Sequence, residues 1–336
     1  MFDREFTRQF PIEHLACRPM LEAPLPFPGA TQYDRRAGLG YVMALTAAVL
    51  FAVNGTVSKV ALTGSDLTAV DYTQLRTTFA FLGLALGLLV LARDKLRFTR
   101  RDLPFLAFYG IFSFALVQWL YFVAIERLPI GIALLIQFSG VVLVALWARL
   151  VWHVDVRPRV WAALALTLVG LALVSEFWLG WTLDTVGVVA CVGAAIALAT
   201  YLLAGERAVE QRDPLGVLCL SLLFASLLWA VVQPWWTFPV GELGGDTSFQ
   251  GNLDHLSAPV WVFALWTVLL GTIAPFGLSI AALRHLAATR LGITLTLEPV
   301  VATFIAWAWL DETLAAPQLI GGAVVLTGIL LAQTAR

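Results

Sequence analysis

The chain has 336 residues, of which 60% are hydrophobic and only 13% charged, with a mean hydropathy of +0.85. A water-soluble domain carries about 25% charged residues, so this composition cannot clothe an aqueous surface and places the chain in a lipid bilayer. With 21 Lys and Arg against 22 Asp and Glu the net charge is −1, which leaves no basic excess for phosphates and excludes nucleic acid as a partner.

In chain order, Met1 to Arg36 comes first. Pro11, Pro19, Pro24, Pro26 and Pro28 break any helix there, and no apolar run of signal-peptide length is present. The segment 1–36 reads as a disordered cytoplasmic tail. A membrane helix needs about 20 mostly apolar residues. The sequence predicts ten such spans, at 38–60, 72–92, 103–125, 129–151, 158–177, 184–205, 215–237, 259–283, 288–310 and 316–334. Charged breaks such as Arg93-Asp-Lys-Leu-Arg separate them. The longest break, from Phe238 to Ala258, is Gly-rich and polar and reads as a linker. Cys17, Cys191 and Cys219 are odd in number and widely spaced, so no disulfide framework or metal spacing follows.

Lys and Arg cluster on alternate breaks. One side carries Arg93, Lys95, Arg97, Arg100, Arg101, Arg157, Arg159, Arg207, Arg212, Arg284 and Arg290, while the other carries mostly Asp and Glu. The cationic side is the cytoplasmic one, so both termini are expected inside. The stretch Tyr121–Val174 also lies over Ser279–Ala332 without a gap, at an offset of 286 − 128 = 158. It brings Ala124 onto Ala282, Leu128 onto Leu286 and Gly170 onto Gly328. The expected fold class is all-α integral membrane, with ten transmembrane helices as two inverted five-helix repeats, 37–180 and 181–336. Five spans is an odd number, so the second half enters from the opposite side. In such folds substrate sites lie near the midplane, between the halves.

Glu298 falls near the middle of the ninth span. A carboxyl at that depth costs about 2.5–3.5 kcal/mol on insertion scales, so it needs a partner or a wet cavity. Two readings stand: a group that binds substrate or carries a proton, or a carboxyl that fixes helix packing. Pro299 removes a backbone donor beside it. Asn54 and Ser58 share a face of the first span, as cavity lining or as packing. Lys59 either snorkels or faces the cavity. Arg76 either meets a substrate carboxylate or pairs with Asp71 or another acid. In the eighth span Pro275 and Gly277 predict a kink that frees carbonyls for ligand. Gln118, Trp119 and Tyr121 offer an aromatic and amide wall, and Gln137 and Ser139 could line the cavity. Gly83-Leu-Ala-Leu-Gly87 is a small-residue pattern expected to pack helices within the fold. No nucleotide-cradling loop or zinc-binding helix motif is present, so neither cofactor nor metal is implied.

Phe51-Ala-Val-Asn-Gly-Thr-Val-Ser-Lys, Leu297-Glu-Pro-Val-Val-Ala and Trp309-Leu-Asp-Glu-Thr-Leu-Ala-Ala-Pro-Gln-Leu-Ile-Gly-Gly-Ala together resemble the EamA branch of the drug/metabolite transporter superfamily. The likeness covers about residues 38–334. Asp311 stands where that family usually has Gly, and Val141 where the fourth span would have Pro. Arg127-Leu-Pro-Ile-Gly-Ile-Ala-Leu-Leu-Ile-Gln-Phe-Ser-Gly looks like the threonine/homoserine-exporter subgroup, in which Glu commonly replaces Gln137. The resemblance implies a ten-helix exporter of amino acids or related metabolites in a bacterial inner membrane. The expectation is a carrier, not an enzyme, working by alternating access in the lipid bilayer. Its cavity wall would hold Asn54, Gln118, Tyr121, Gln137, Tyr201 and Glu298, with protons as a candidate coupling ion. Rival readings are a nucleotide-sugar or drug transporter and, in a different class, an integral-membrane lipid enzyme.

Overall fold

Helix starts are written locally in this chain. Thr68 and Asp71 form a capping box, in which the Thr68 hydroxyl accepts from Asp71 N at 3.2 Å and the Asp71 carboxylate accepts from Thr68 N at 3.0 Å. Asp213 caps the helix that begins at Pro214, accepting from Leu215 N at 3.0 Å. Pro158 also stands in a first turn, where its missing N–H leaves nothing unpaired. The computed structural model describes residues 36–125, 127, 128, 130–176, 178, 184–210, 212–311 and 313–334. The tail expected at 1–36 therefore lies outside the described residues, except for Arg36.

The helices are α1 (Ala37–Thr63), α2 (Ala69–Leu91), α3 (Leu103–Gly110), α4 (Leu116–Ile125), α5 (Ile130–Phe138), α6 (Gly140–Leu150) and α7 (Pro158–Ser175). They continue with α8 (Thr185–Glu210), α9 (Pro214–Val232), α10 (Val260–Val268), α11 (Ala274–Ala282), α12 (Ala288–Leu295), α13 (Leu297–Leu310) and α14 (Ala316–Thr334). Among the described residues they make ten helical runs long and apolar enough to cross a membrane. Four of the ten runs are composite. α3 and α4 join through a π-helical turn at Ile111–Ala115, and α10 and α11 through another at Leu269–Ile273. α5 and α6 break at Ser139, and α12 and α13 at Thr296.

These irregularities recur at one spacing. The two π-turns are related by 269 − 111 = 158 and 273 − 115 = 158, and the two helix breaks agree with that offset to within one residue. Packing follows the same scheme: α1 lies against α11, α12 and α13, while α8 lies against α4, α5 and α6. α7 and α14 form the tightest pair, because Gly170 and Gly321 let backbone meet backbone. A Cβ on Gly170 would stand 2.7 Å from Gly321 O, and one on Gly321 2.6 Å from Gly170 O. Two expectations change. Of the small-residue pattern, a Cβ on Gly83 would meet Ile273 Cδ1 at 3.7 Å, whereas one on Gly87 would meet nothing within 4 Å, so only its first glycine touches another helical run.

The long break after α9 is not a plain linker. Asp246–Ser248 (β1) pairs antiparallel with Ser257–Pro259 (β2), and this ribbon is fastened to helix ends. Thr247 donates to Gly64 O at 2.7 Å, and Trp309 Nε1 donates to Phe249 O at 2.8 Å. Asn252 donates to Ala308 O at 3.2 Å, and Gln250 to Thr63 Oγ1 at 2.7 Å. Phe249 is wedged between Phe263 and Trp309. The composition is polar because these backbone groups are bonded sideways to α1 and α13. At the opposite end the loops are tied by charge: Asp102 pairs with Arg212, and Lys95 lies 3.6 Å from Asp213.

Candidate functional site

Glu298 stands in the first turn of α13, two residues past the break at Thr296. The break has a chemical cause. Pro299 gives no N–H to the carbonyl of Leu295, and the Thr296 hydroxyl donates to Ile293 O at 2.5 Å, turning the chain locally. The carboxylate is thereby set at the positive end of a helix dipole and is only half-buried, although it is midway along a membrane-length run. Its charge interacts with Arg76 and Tyr121.

Arg76 is 5% exposed and reaches across to the second π-turn. Its Nε donates to Thr272 Oγ1 at 3.2 Å and a terminal nitrogen donates to Gly271 O at 3.1 Å. The Gly271 carbonyl is free to accept because Pro275, four residues on, has no N–H. The sequence expectation that Pro275 frees a carbonyl thus holds, but the carbonyl goes to Arg76. Asp71, the partner considered for Arg76, is bonded to Thr68 and Gln233. Thr272 in turn donates to Thr267 O at 2.8 Å, and Thr267 Oγ1 meets the Tyr72 hydroxyl at 2.7 Å. Asn54 is pressed against the same turn: a Cβ on Gly271 would fall 1.9 Å from Asn54 Oδ1.

Among the predicted residues, Asn54 and Glu298 thus gather about Arg76, with Tyr121 joined to them through Glu298. Gln118 is buried and donates to Phe114 O at 2.9 Å. Gln137 is in the last turn of α5, beside the other helix break, and is half-buried. Among the described residues, the side-chain oxygens of Asn54, Gln118 and Gln137 are buried with no donor. Tyr201 lies in α8, and among the described residues its hydroxyl is likewise buried without a hydrogen-bond partner. Its ring stacks on Tyr109 at 6.1 Å and touches Phe114 and Phe276. Tyr201 belongs to an aromatic plug joining α3, α8 and α11, with Phe51 of α1 against Phe276 at 4.9 Å. Trp119 faces outward against Trp229. Arg76 and Thr272 were the residues that composition alone undervalued. The signal was an arginine inside a span together with a proline four residues after a glycine in another.

The described residues hold no metal-binding cluster, and Cys191 and Cys219 are free and buried. A polar patch with charges of both signs, inside a chain of ten membrane-length runs among its described residues, is the arrangement of a solute carrier. The profile of the EamA-like transporter family matches residues 38–176 and again 185–334. The chain belongs to that family and is a multi-pass membrane transporter rather than an enzyme. It is 30% identical over 264 residues to the threonine/homoserine exporter RhtA of Escherichia coli K12, covering 76% of this chain and 81% of that one. It is 27% identical over 253 residues to an uncharacterized transporter of Archaeoglobus fulgidus, covering 75% and 84%. A solved crystal structure shares the fold at a TM-score of 0.71 and 16% identity, covering 87% of this chain and 96% of the other.

Proposed function

We propose that the protein exports a small amino acid of the threonine and homoserine type across a bacterial inner membrane. The observation that carries this reading is the presence of two opposite charges within each other's field, Arg76 bonded to the second π-turn and Glu298 beside the break between α12 and α13. A guanidinium has five donors, and Arg76 spends two on the π-turn, leaving others for a substrate carboxylate. Glu298 then receives the substrate ammonium. The donor-poor oxygens of Asn54, Gln118 and Gln137 suit a substrate hydroxyl and the remaining N–H groups, with Tyr121 as a side wall. The similarity to an exporter named for threonine and homoserine supports the substrate class.

Transport is by alternating access of two halves, 37–180 and 181–336, related as inverted repeats with both termini in the cytoplasm. Four observations support this: the profile that matches twice, the shared offset of π-turns and breaks, the exchanged packing of α1 and α8, and the Lys and Arg asymmetry of the loops. Glu298 can also exchange a proton for the substrate, which makes proton antiport the energy source. The test is uptake of labelled threonine, homoserine and an amino-acid panel into liposomes holding the purified chain, with and without a pH gradient. Saturable threonine or homoserine flux driven by the gradient is expected. Flux no greater than in empty liposomes for every amino acid overturns the reading.

A further inference from the structure

Away from the central pair, a cavity of about 550 Å³ opens where α3 begins and α6 and α8 end. Phe105, Phe108, Leu146, Leu150, Ile196 and Leu203 make its walls. Leu150 and Ile196 are 67% and 56% exposed, so the groove faces the hydrocarbon rather than the core. Its mouth is different. Trp152 and Arg207 close one end, with the guanidinium 5.0 Å above the indole ring. Among the described residues no carboxylate lies within ion-pair distance of Arg207. The neighbouring Arg212 is already paired with Asp102. A second opening, of about 580 Å³, is lined by Arg149, Asp155, Arg157 and Trp161, and there Arg149 is answered by Asp155 at 3.9 Å.

From this geometry we infer that the groove is a binding site for an anionic glycerophospholipid of the surrounding leaflet. An acyl chain lies along the apolar walls, and the head-group phosphate meets Arg207, which Trp152 holds at the level where indole rings settle in a bilayer. Basic pockets between membrane helices on the cytoplasmic side capture anionic head groups in this manner. A zwitterionic lipid offers the same phosphate but carries an ammonium beside it, so only a head group of net negative charge leaves the Arg207 charge balanced. A second copy packed by two-fold symmetry on the same face would set Arg207 against Arg207. Placing the site in the cytoplasmic leaflet rests on the orientation proposed above, whereas the groove and its arginine do not.

The test uses the full chain reconstituted in vesicles of equal parts phosphatidylglycerol and phosphatidylcholine, released into mild detergent and weighed by native mass spectrometry. One phosphatidylglycerol per chain is expected to be retained in preference to phosphatidylcholine. Arg207→Gln should lower that preference about fivefold, the worth of one cation near an anionic head group. Arg207→Lys should keep most of it. Thr200→Trp, which fills the groove from a half-exposed position, should lose retention of both lipids. Thermal unfolding in phosphatidylcholine alone, unchanged by Arg207→Gln, establishes that this variant is folded. Equal preference in wild type and Arg207→Gln, equal retention of the two lipids, retention surviving Thr200→Trp, or a lipid-free dimer each overturns the site. Amino-acid uptake measured on the same preparations separates the readings. Flux without phosphatidylglycerol retention sinks only the lipid site, and retention without flux sinks only the amino-acid reading.

Discussion

Glu298 and Arg76 illustrate how a charge survives in the interior of a membrane protein. Each is expensive alone, and each interacts electrostatically with the other while Arg76 is also hydrogen-bonded to a carbonyl that a proline has released. Glu298→Gln keeps the shape and removes the charge. It should lower amino-acid flux about 10- to 100-fold, the range for losing a hydrogen bond to a charged group, and abolish the response to an imposed pH gradient. Arg76→Lys should raise KM for the substrate more than it lowers the maximal rate, because a single ammonium cannot serve the π-turn and a substrate carboxylate together. At the surface, Asp102 accepts from Thr99 N and Thr99 Oγ1, both at 2.9 Å, and from Arg212. The hydrogen bond from Arg212, followed by those from Thr99, holds its carboxyl down at about 2. A depressed folded value means stability that is complete above the ordinary carboxylate range near ~4 and lost as pH falls toward 2. Wild type should therefore lose its thermal-stability advantage over Asp102→Asn across that acid interval, followed by unfolding scans at stepped pH.

At the scale of elements, the decisive features are the places where helices stop being regular. The π-turn at Leu269–Ile273 sets Gly271 against Asn54 and gives its carbonyl to Arg76. Gly271→Ala puts a methyl into occupied space and should cost about 1–3 kcal/mol in reversible unfolding, the usual range for overpacking, with a loss of flux from the displaced Asn54. Periodicity and length made the ten spans legible, since lipid demands about 20 apolar residues wherever a helix crosses. Glu298-Pro299 and Pro275 pointed correctly to broken backbone. The π-turn at Ile111–Ala115 was not legible, because Ile-Phe-Ser-Phe-Ala carries neither proline nor glycine and its extra residue is imposed by the helices packed around it. The surroundings of Tyr201 were not legible either. A tyrosine in a span looks the same in sequence whether it lines a path or stacks among Tyr109, Phe114 and Phe276.

For the molecule as a whole, the two faces are finished differently. One is sealed by ion pairs among loops, including Asp102 with Arg212 and Lys95 with Asp213. The other is covered by the β-ribbon between α9 and α10, which joins the end of α1 to the end of α13. The polar, Gly-rich run at Phe238–Ala258 hid this, since the bonds that order it are made to residues such as Gly64 and Ala308, far away in sequence. Trp309→Phe removes the bond to Phe249 O but keeps the ring contact, and should cost about 1 kcal/mol. Hydrogen exchange confined to the ribbon and the neighbouring end of α13 should rise in that variant.

The ribbon also decides where a reporter can be spliced into this chain. A tag between Thr247 and Asn252 would tear out the bonds to α1 and α13 and would register damage instead of sidedness. Gly241 and Gly244 have no neighbour within 4 Å of an added Cβ. An epitope inserted there should leave the carrier active and, in the orientation proposed above, be reached by antibody on spheroplasts whose outer membrane has been opened.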